Sequence, residues 1–66
     1  MNLTLRDFDK LVGLRVELHP ATDAWMRGDR YGKVAAVGRR YVSLWMDRSG
    51  RVRRVRPGDV GRVLGE

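Results

Sequence analysis

The chain has 66 residues, and 14 lysines and arginines against 8 aspartates and glutamates give it a formal net charge of +6 at pH 7. This length allows a single domain over residues 1–66, and the absence of cysteine excludes disulfides and thiolate metal sites. The apolar runs are too short to span a bilayer, and the first residues lack the basic-then-apolar plan of a signal peptide, so we expect a cytoplasmic protein that does not enter a membrane.

The positive charge is concentrated in residues 39–56, which hold seven arginines and one acidic residue, Asp47. The residues before this stretch have six basic and five acidic side chains, so their charge is nearly balanced. Clustered arginine is the electrostatic footprint of a protein that binds a polyanion. The alternative is that arginine is simply the preferred surface residue of this sequence, which has twelve arginines and two lysines.

The first predicted element is a short helix over residues 4–12. Thr4 is a favourable N-cap, and Asp7, three residues later, completes a capping box. Apolar residues recur at helical spacing from Leu5 to Leu11 and form one stripe. Because so short a helix is not stable alone, we expect this stripe to dock on the rest of the domain.

Five short strands are predicted between residues 14 and 64, because apolar and polar residues alternate there and turn residues separate the segments. Gly32 in the second strand predicts a bend or a close approach of another backbone. In the third strand Val42, Leu44 and Met46 should be buried, and the residues between them exposed. The predicted strands cover residues 14–19, 31–38, 41–47, 51–56 and a short segment around Val63, with a long loop over residues 20–30.

The fourth strand, RVRRVR at residues 51–56, has valines three residues apart, whereas a strand with one buried face needs them two apart. The preceding turn would place Arg53 opposite Trp45 and Arg54 opposite Leu44, beneath the sheet. Because an unpaired buried arginine is too costly, the sequence predicts a β-bulge at Arg53–Arg54. This bulge would turn both valines inward and all four arginines outward.

Five short strands, a long first loop and a Pro-Gly turn before the last strand resemble an SH3-like small β-barrel. The segment RGDRYGKVAAVGRRYVSLWMD resembles the KOW-type and Tudor-like versions of that fold in its G-x-V-x-x-V and V-x-L pattern, although HPATDAWM replaces the short glycine-rich link of KOW. The stretch HPATDAWMRGDRYG is also similar to a segment of small, uncharacterised phage-encoded proteins. These resemblances imply a mainly β fold, a single SH3-like five-stranded small barrel over residues 14–64 with a short N-terminal helix, and no particular activity.

The first functional hypothesis is that the arginine-rich hairpin face binds nucleic acid, either DNA or RNA. Phosphates need cations along a groove, bases stack on aromatic rings, and arginine provides both kinds of contact. An acidic protein surface would use the same arginines. Trp45 has an alternative role as a platform for the N-terminal helix, which would leave only the charge. The candidate residues are Arg39, Arg40, Arg48, Arg51, Arg53, Arg54, Arg56, Trp45 and Tyr41.

The second hypothesis is a protein-interaction module, and the resemblance to phage-encoded proteins implies a phage protein that binds a host protein. SH3-like barrels often bind peptides at the long first loop, where this chain has Trp25, Met26 and Tyr31, and aromatic residues are typical interface anchors. Trp25 could instead fold back and plug one end of the barrel. The exposed edges of an open barrel could also pair to form a homodimer.

Catalysis is not expected. His19 is the one histidine, Asp23 is the nearby carboxylate, and the chain has no cysteine or glutamine. These two side chains do not complete a metal site, which needs three or four ligands, and they do not form a set of nucleophile, base and orienting group. We therefore expect no metal and no cofactor.

Overall fold

The computed structural model describes residues 4–65, and five antiparallel strands make up most of it. Two helices, each of four residues, are α1 (Leu5–Phe8) and α2 (Asp23–Met26), and 3-10 turns cover Asp9–Leu11 and Pro57–Asp59. No helix in this range is long and apolar enough to cross a membrane. The strands are β1 (Arg15–Leu18), β2 (Tyr31–Val37), β3 (Val42–Met46), β4 (Val52–Val55) and β5 (Val60–Gly65).

All five strands belong to one sheet, in the order β4-β3-β2-β1-β5. Strands β1 to β4 therefore pair in chain order, and the last strand, β5, pairs with the other side of β1. In that pair Val63 lies opposite Val16. Strands β4 and β5 are the edges, and no ladder joins them within residues 4–65. The mainly β fold with a short N-terminal helix is confirmed, and the sheet is open and barrel-like rather than closed.

The inner face of this sheet carries the hydrophobic core. Val42, Leu44 and Met46 of β3 are fully buried, which confirms the predicted alternation. Phe8 of α1 is also fully buried, so the apolar stripe of the first helix docks on the sheet as expected. The buried hydrophobic residues are Phe8, Val16, Leu18, Ala24, Val34, Val42, Leu44, Met46, Val55 and Val60.

The first helix begins with the predicted capping box. The backbone N–H of Asp7 donates to the Thr4 hydroxyl oxygen at 3.4 Å, and the backbone N–H of Thr4 donates to the Asp7 carboxylate at 2.9 Å. The Asp7 carboxylate also accepts a hydrogen bond from the Thr4 hydroxyl at 3.1 Å, and the bonds donated to it by the Thr4 backbone N–H and hydroxyl lower the pKa of Asp7 below its ordinary value. The α-helix ends at Phe8 and tightens into a 3-10 turn, so it is shorter than the predicted helix over residues 4–12.

The long loop predicted over residues 20–30 contains α2, a single helical turn. The Thr22 hydroxyl accepts a hydrogen bond from the backbone N–H of Trp25 at 3.2 Å and caps this helix. Thr22 followed by Asp23 is a sequence signal for such a start, but one turn is too short for apolar periodicity to reveal it. Ala24 is buried in the core, so α2 covers part of the domain's interior.

The β3–β4 hairpin has a register different from the predicted one. The backbone N–H of Met46 donates to the Arg51 carbonyl at 2.9 Å, and that of Gly50 donates to the Met46 carbonyl at 3.1 Å. Gly50 has φ of +69°, a left-handed conformation that suits glycine, and it ends the loop over residues 47–50. The pairs across the hairpin are Trp45 with Val52, Leu44 with Arg53, Ser43 with Arg54, and Val42 with Val55.

This pairing is regular, and the predicted bulge at Arg53–Arg54 is therefore wrong. Val55 is buried as expected, but Val52 is 60% exposed on the outer face. Arg53 takes the inward-facing position beside Leu44. The prediction failed because it considered only an unpaired buried arginine, whereas Arg53 has a partner in the carboxylate of Asp29, 3.3 Å away.

Candidate nucleic-acid interface

The outer face of β2, β3 and β4 carries aromatic and basic side chains that the core does not use. Trp45 is 59% exposed and lies between Lys33 of β2 and Val52 of β4. Two residues away on β3, Ser43 lies beside Arg54. Trp45 is therefore not a platform for the N-terminal helix. We call this surface the outer basic face, and it comprises Lys33, Arg39, Arg40, Tyr41, Ser43, Trp45, Val52 and Arg54.

A groove of about 280 Å³ opens at one end of the outer basic face. The backbone N–H of Gly38 donates to the Tyr41 carbonyl at 2.9 Å, which makes the β2–β3 connection a tight turn. Arg39 and Arg40 belong to this turn, and both line the groove together with Arg54 and Tyr41. Three arginines thus border one groove beside the exposed side chain of Tyr41.

A second hollow, of about 510 Å³, lies beside Trp45, and Lys33 and Asp47 also line it. Asp47 is the one acidic residue of the arginine-rich segment. Its carboxylate forms an ion pair with the guanidinium of Arg15 on β1. This pairing compensates the negative charge and weakens its repulsion of an anion on the same face.

Most of the candidate arginines have no carboxylate partner within residues 4–65. Arg53 is the exception, because it pairs with Asp29. Among the described residues, a further ion pair joins Arg62 to Glu17, and neither of these is a candidate residue. The candidates without a carboxylate partner in the described range are Arg39, Arg40, Arg48, Arg51, Arg54 and Arg56.

Arg53 belongs to a cluster on the inner side of β4. The Asp29 side chain is 7% exposed, and its Oδ2 accepts hydrogen bonds from the Arg53 guanidinium at 3.3 Å and from the Ser49 hydroxyl at 3.1 Å. The other carboxylate oxygen, Oδ1, and the Arg53 Nε have no hydrogen-bond partner in the part of the chain that the structure describes. The expectation that all four arginines of the fourth strand face outward is therefore wrong for Arg53, which ties β4 to the segment before β2.

The other candidate arginines do not line the groove beside Tyr41. The guanidinium of Arg48 lies against Gly28, next to the cluster around Asp29. Arg51 is exposed at the loop that precedes β4, and Arg56 is exposed after β4, where its backbone N–H donates to the Asp59 carboxylate at 3.2 Å. Of the predicted set, the structure brings together Arg39, Arg40, Arg54, Tyr41 and Trp45, turns Arg53 inward and places Arg48 against Gly28.

The residues proposed for protein interaction do not share one element. Trp25 is partly buried and packs against the core, with the guanidinium carbon of Arg30 at 4.6 Å from its ring centre. Met26 follows on α2 and is highly exposed. Tyr31 lies on β2, opposite Glu17.

Lys33 is the residue that sequence reasoning missed. Its neighbours in β2, Gly32 and Val34, are buried, so the alternation alone places Lys33 outward. Its position beside Trp45 follows only from the β2–β3 register. That register includes an irregularity between Val34 and Ala36, which the sequence pattern does not reveal.

His19 and Asp23 line a third groove, of about 500 Å³, between the α2 region and β4. The Nδ1 atom of His19 accepts a hydrogen bond from the backbone N–H of Ala21 at 3.1 Å, so this nitrogen has a role in the loop. Within residues 4–65, no three histidine, cysteine, aspartate or glutamate side chains lie close enough together to hold a metal ion.

Comparisons with protein-family models, with curated proteins and with solved structures found no match. The SH3-like, KOW-type and Tudor-like resemblance therefore has no support from a family match. At the coarser level, the structure shows a small five-stranded antiparallel sheet with a barrel-like order of strands.

Proposed function

We propose that this protein is a small, non-catalytic binding module of SH3-like topology that contacts nucleic acid through the outer basic face. One observation carries the proposal. Arg39, Arg40 and Arg54 border the groove beside Tyr41, without carboxylate partners among the described residues, on the face that also exposes Trp45.

The two residue types on this face supply complementary contacts. A guanidinium group donates parallel N–H bonds to a phosphate, and the release of condensed counterions adds to the affinity. Aromatic rings offer a flat surface on which a base or sugar packs. Asp47 is already paired with Arg15, so it opposes the approach of a phosphate less than a free carboxylate would.

The protein-interaction alternative has less support from the geometry. Its main anchor, Trp25, packs against the core and under Arg30 instead of projecting into solvent. An acidic protein surface would bind the same arginines as a nucleic acid.

The test is binding of fluorescently labelled oligonucleotides by anisotropy, over a range from about 50 to 200 mM salt. With three phosphate contacts, log K should fall with log salt at a slope of roughly −2 to −3. The double substitution Arg39→Glu and Arg40→Glu should weaken binding to all sequences and make the slope shallower.

The matched control is Arg6→Glu with Arg27→Glu, which changes the net charge equally at two exposed arginines away from the outer basic face. This control should retain most of the affinity. Equal loss in both double variants would show that only the total charge matters. Absence of binding by the unsubstituted protein at the lowest salt would refute the proposal.

A further inference from the structure

We infer that the nucleic acid is single-stranded and that its bases stack on Trp45 and Tyr41, an inference that depends on the proposed function. The exposed apolar surface on this face requires an explanation beyond phosphate binding. Trp45 and its neighbour Val52 are both more than half exposed, side by side, among basic residues. Exposed apolar side chains that are rimmed by basic residues are typical of a contact surface.

Stacking distinguishes single strands from duplexes. In a duplex, the two faces of each base are covered by the bases above and below, so a base must leave the stack before it can pack on a protein ring. An unpaired strand offers its base faces freely, and each stacked base contributes to affinity whatever its identity. The rings of Trp45 and Tyr41 therefore favour unpaired bases.

The hairpin that carries most of the candidate arginines is not free to enter a duplex groove. A two-stranded ribbon reads duplex DNA by inserting into the major groove. Here the loop of the β3–β4 hairpin is attached to the domain, because the Ser49 hydroxyl donates to Asp29 at 3.1 Å and Arg48 lies against Gly28. The helices of residues 4–65 have only four residues each and offer no recognition helix. What the described chain presents is the outer basic face of a sheet.

The spacing between Tyr41, which directly precedes β3, and Trp45 within β3 fits a short stretch of single-stranded nucleic acid. Tyr41 and Trp45 are four residues apart along extended chain, which corresponds to about 14 Å at roughly 3.4 Å per residue. Ser43 is midway between the two aromatic residues along the chain, and Arg54 is its partner on β4. Bases on the two rings would thus place the intervening phosphates near Arg54, with Lys33 beside one ring and Arg39 and Arg40 bordering the groove beside the other.

The experiment uses three probes of equal length: a mixed-sequence DNA strand, the same strand annealed to its complement, and an abasic strand that keeps the phosphates but lacks the bases. In a Trp25→Phe variant, Trp45 is the remaining tryptophan, so its fluorescence reports stacking directly. We expect the mixed-sequence strand to quench this fluorescence and to bind at least about tenfold more tightly than the duplex, the effect of one stacked base. The abasic strand should bind weakly and without quenching.

Substitutions in the otherwise native chain provide a second readout. Trp45→Ala should weaken binding to the single strand by about 5- to 150-fold, the range for losing one stacked base, while leaving duplex binding within about twofold. Trp45→Phe should restore most of the affinity. Met26→Ala, which removes an exposed apolar side chain on α2, is the control and should change neither the affinity for the single strand nor that for the duplex.

The possible results separate this inference from the proposal it depends on. Equal or tighter binding to the duplex, or binding of the abasic strand as tight as that of the complete strand, would overturn the single-stranded assignment and leave nucleic-acid binding intact. Failure of all three probes to bind at low salt would overturn both.

Discussion

The guanidinium of Arg53 lies 3.3 Å from the buried carboxylate of Asp29, and this ion pair explains how β4 accommodates an inward-facing arginine. The two residues are 24 positions apart in the chain. Their contact joins the edge strand β4 to the segment before β2, and Ser49 adds the hairpin loop to the same carboxylate. With Arg53 turned inward, Arg54 faces outward and joins the outer basic face.

The two partners of this ion pair should have unequal effects on stability. Removing Arg53 leaves a buried carboxylate with only the Ser49 hydroxyl, whereas removing Asp29 leaves the Arg53 side chain, which is 37% exposed and therefore partly in contact with water. We expect Arg53→Met to lower the free energy of unfolding by about 2–4 kcal/mol, and Asp29→Asn by about 1–2 kcal/mol. Urea denaturation measures both, and Arg54→Met, at the adjacent exposed arginine, is the control. Equal losses at Arg53 and Asp29 would contradict this account.

Gly32 is a position where a side chain should not fit, and the predicted close approach of a backbone is confirmed there. A Cβ atom would lie 3.0 Å from the Met46 sulfur and 3.0 Å from the Trp45 carbonyl oxygen. The sulfur can move, but the carbonyl belongs to a paired inner strand. We expect Gly32→Ala to lower the free energy of unfolding by about 1–3 kcal/mol. Thermal melts of both variants measure this loss. Gly58→Ala, where nothing lies within 4 Å of the added Cβ atom, is the control and should be nearly neutral.

The capping box makes part of the stability dependent on pH. Hydrogen bonds from Thr4 lower the pKa of Asp7, so the folded chain binds a proton at this carboxyl less readily than the unfolded chain does. The contribution is complete above the unfolded pKa of about 3.9 and is lost as the pH falls through the lowered folded value. We expect Asp7→Asn to lower Tm at neutral pH and to flatten the decline of Tm below about pH 4. Parallel Tm curves for the two proteins would show that the box contributes no pH dependence.

Trp25 and Met26 are neighbours in the chain, but their replacement by alanine should change the stability to very different degrees. Trp25 is partly buried against the core, so Trp25→Ala should lower the free energy of unfolding by about 2 kcal/mol, roughly half the loss for a fully buried aromatic side chain. Met26 is 73% exposed, and Met26→Ala should change stability by less than about 0.5 kcal/mol. Chemical denaturation of the two variants checks both. If Trp25→Ala leaves the free energy of unfolding unchanged, the role of Trp25 in the core is wrong and Trp25 becomes a candidate interface anchor again.

Local pattern was enough to predict several elements. The alternation in residues 41–47 identified the buried residues of β3, the spacing of Thr4 and Asp7 identified the helix start, and Gly32 marked a close contact. Each of these depends on residues within a few positions of one another, where backbone period and capping chemistry act directly.

The tertiary structure decided which side chains share a face. A shift of one residue in pairing exchanges the two faces of a strand, and the conformation at Gly50 set that register for β4. Whether an arginine can face inward depends on a partner, and Asp29 is distant in sequence. The sequence alone determined a basic β domain with a defined core. The fold determined that Arg39, Arg40 and Arg54 lie with Trp45 while Arg53 does not, because both results depend on contacts between residues far apart in the chain.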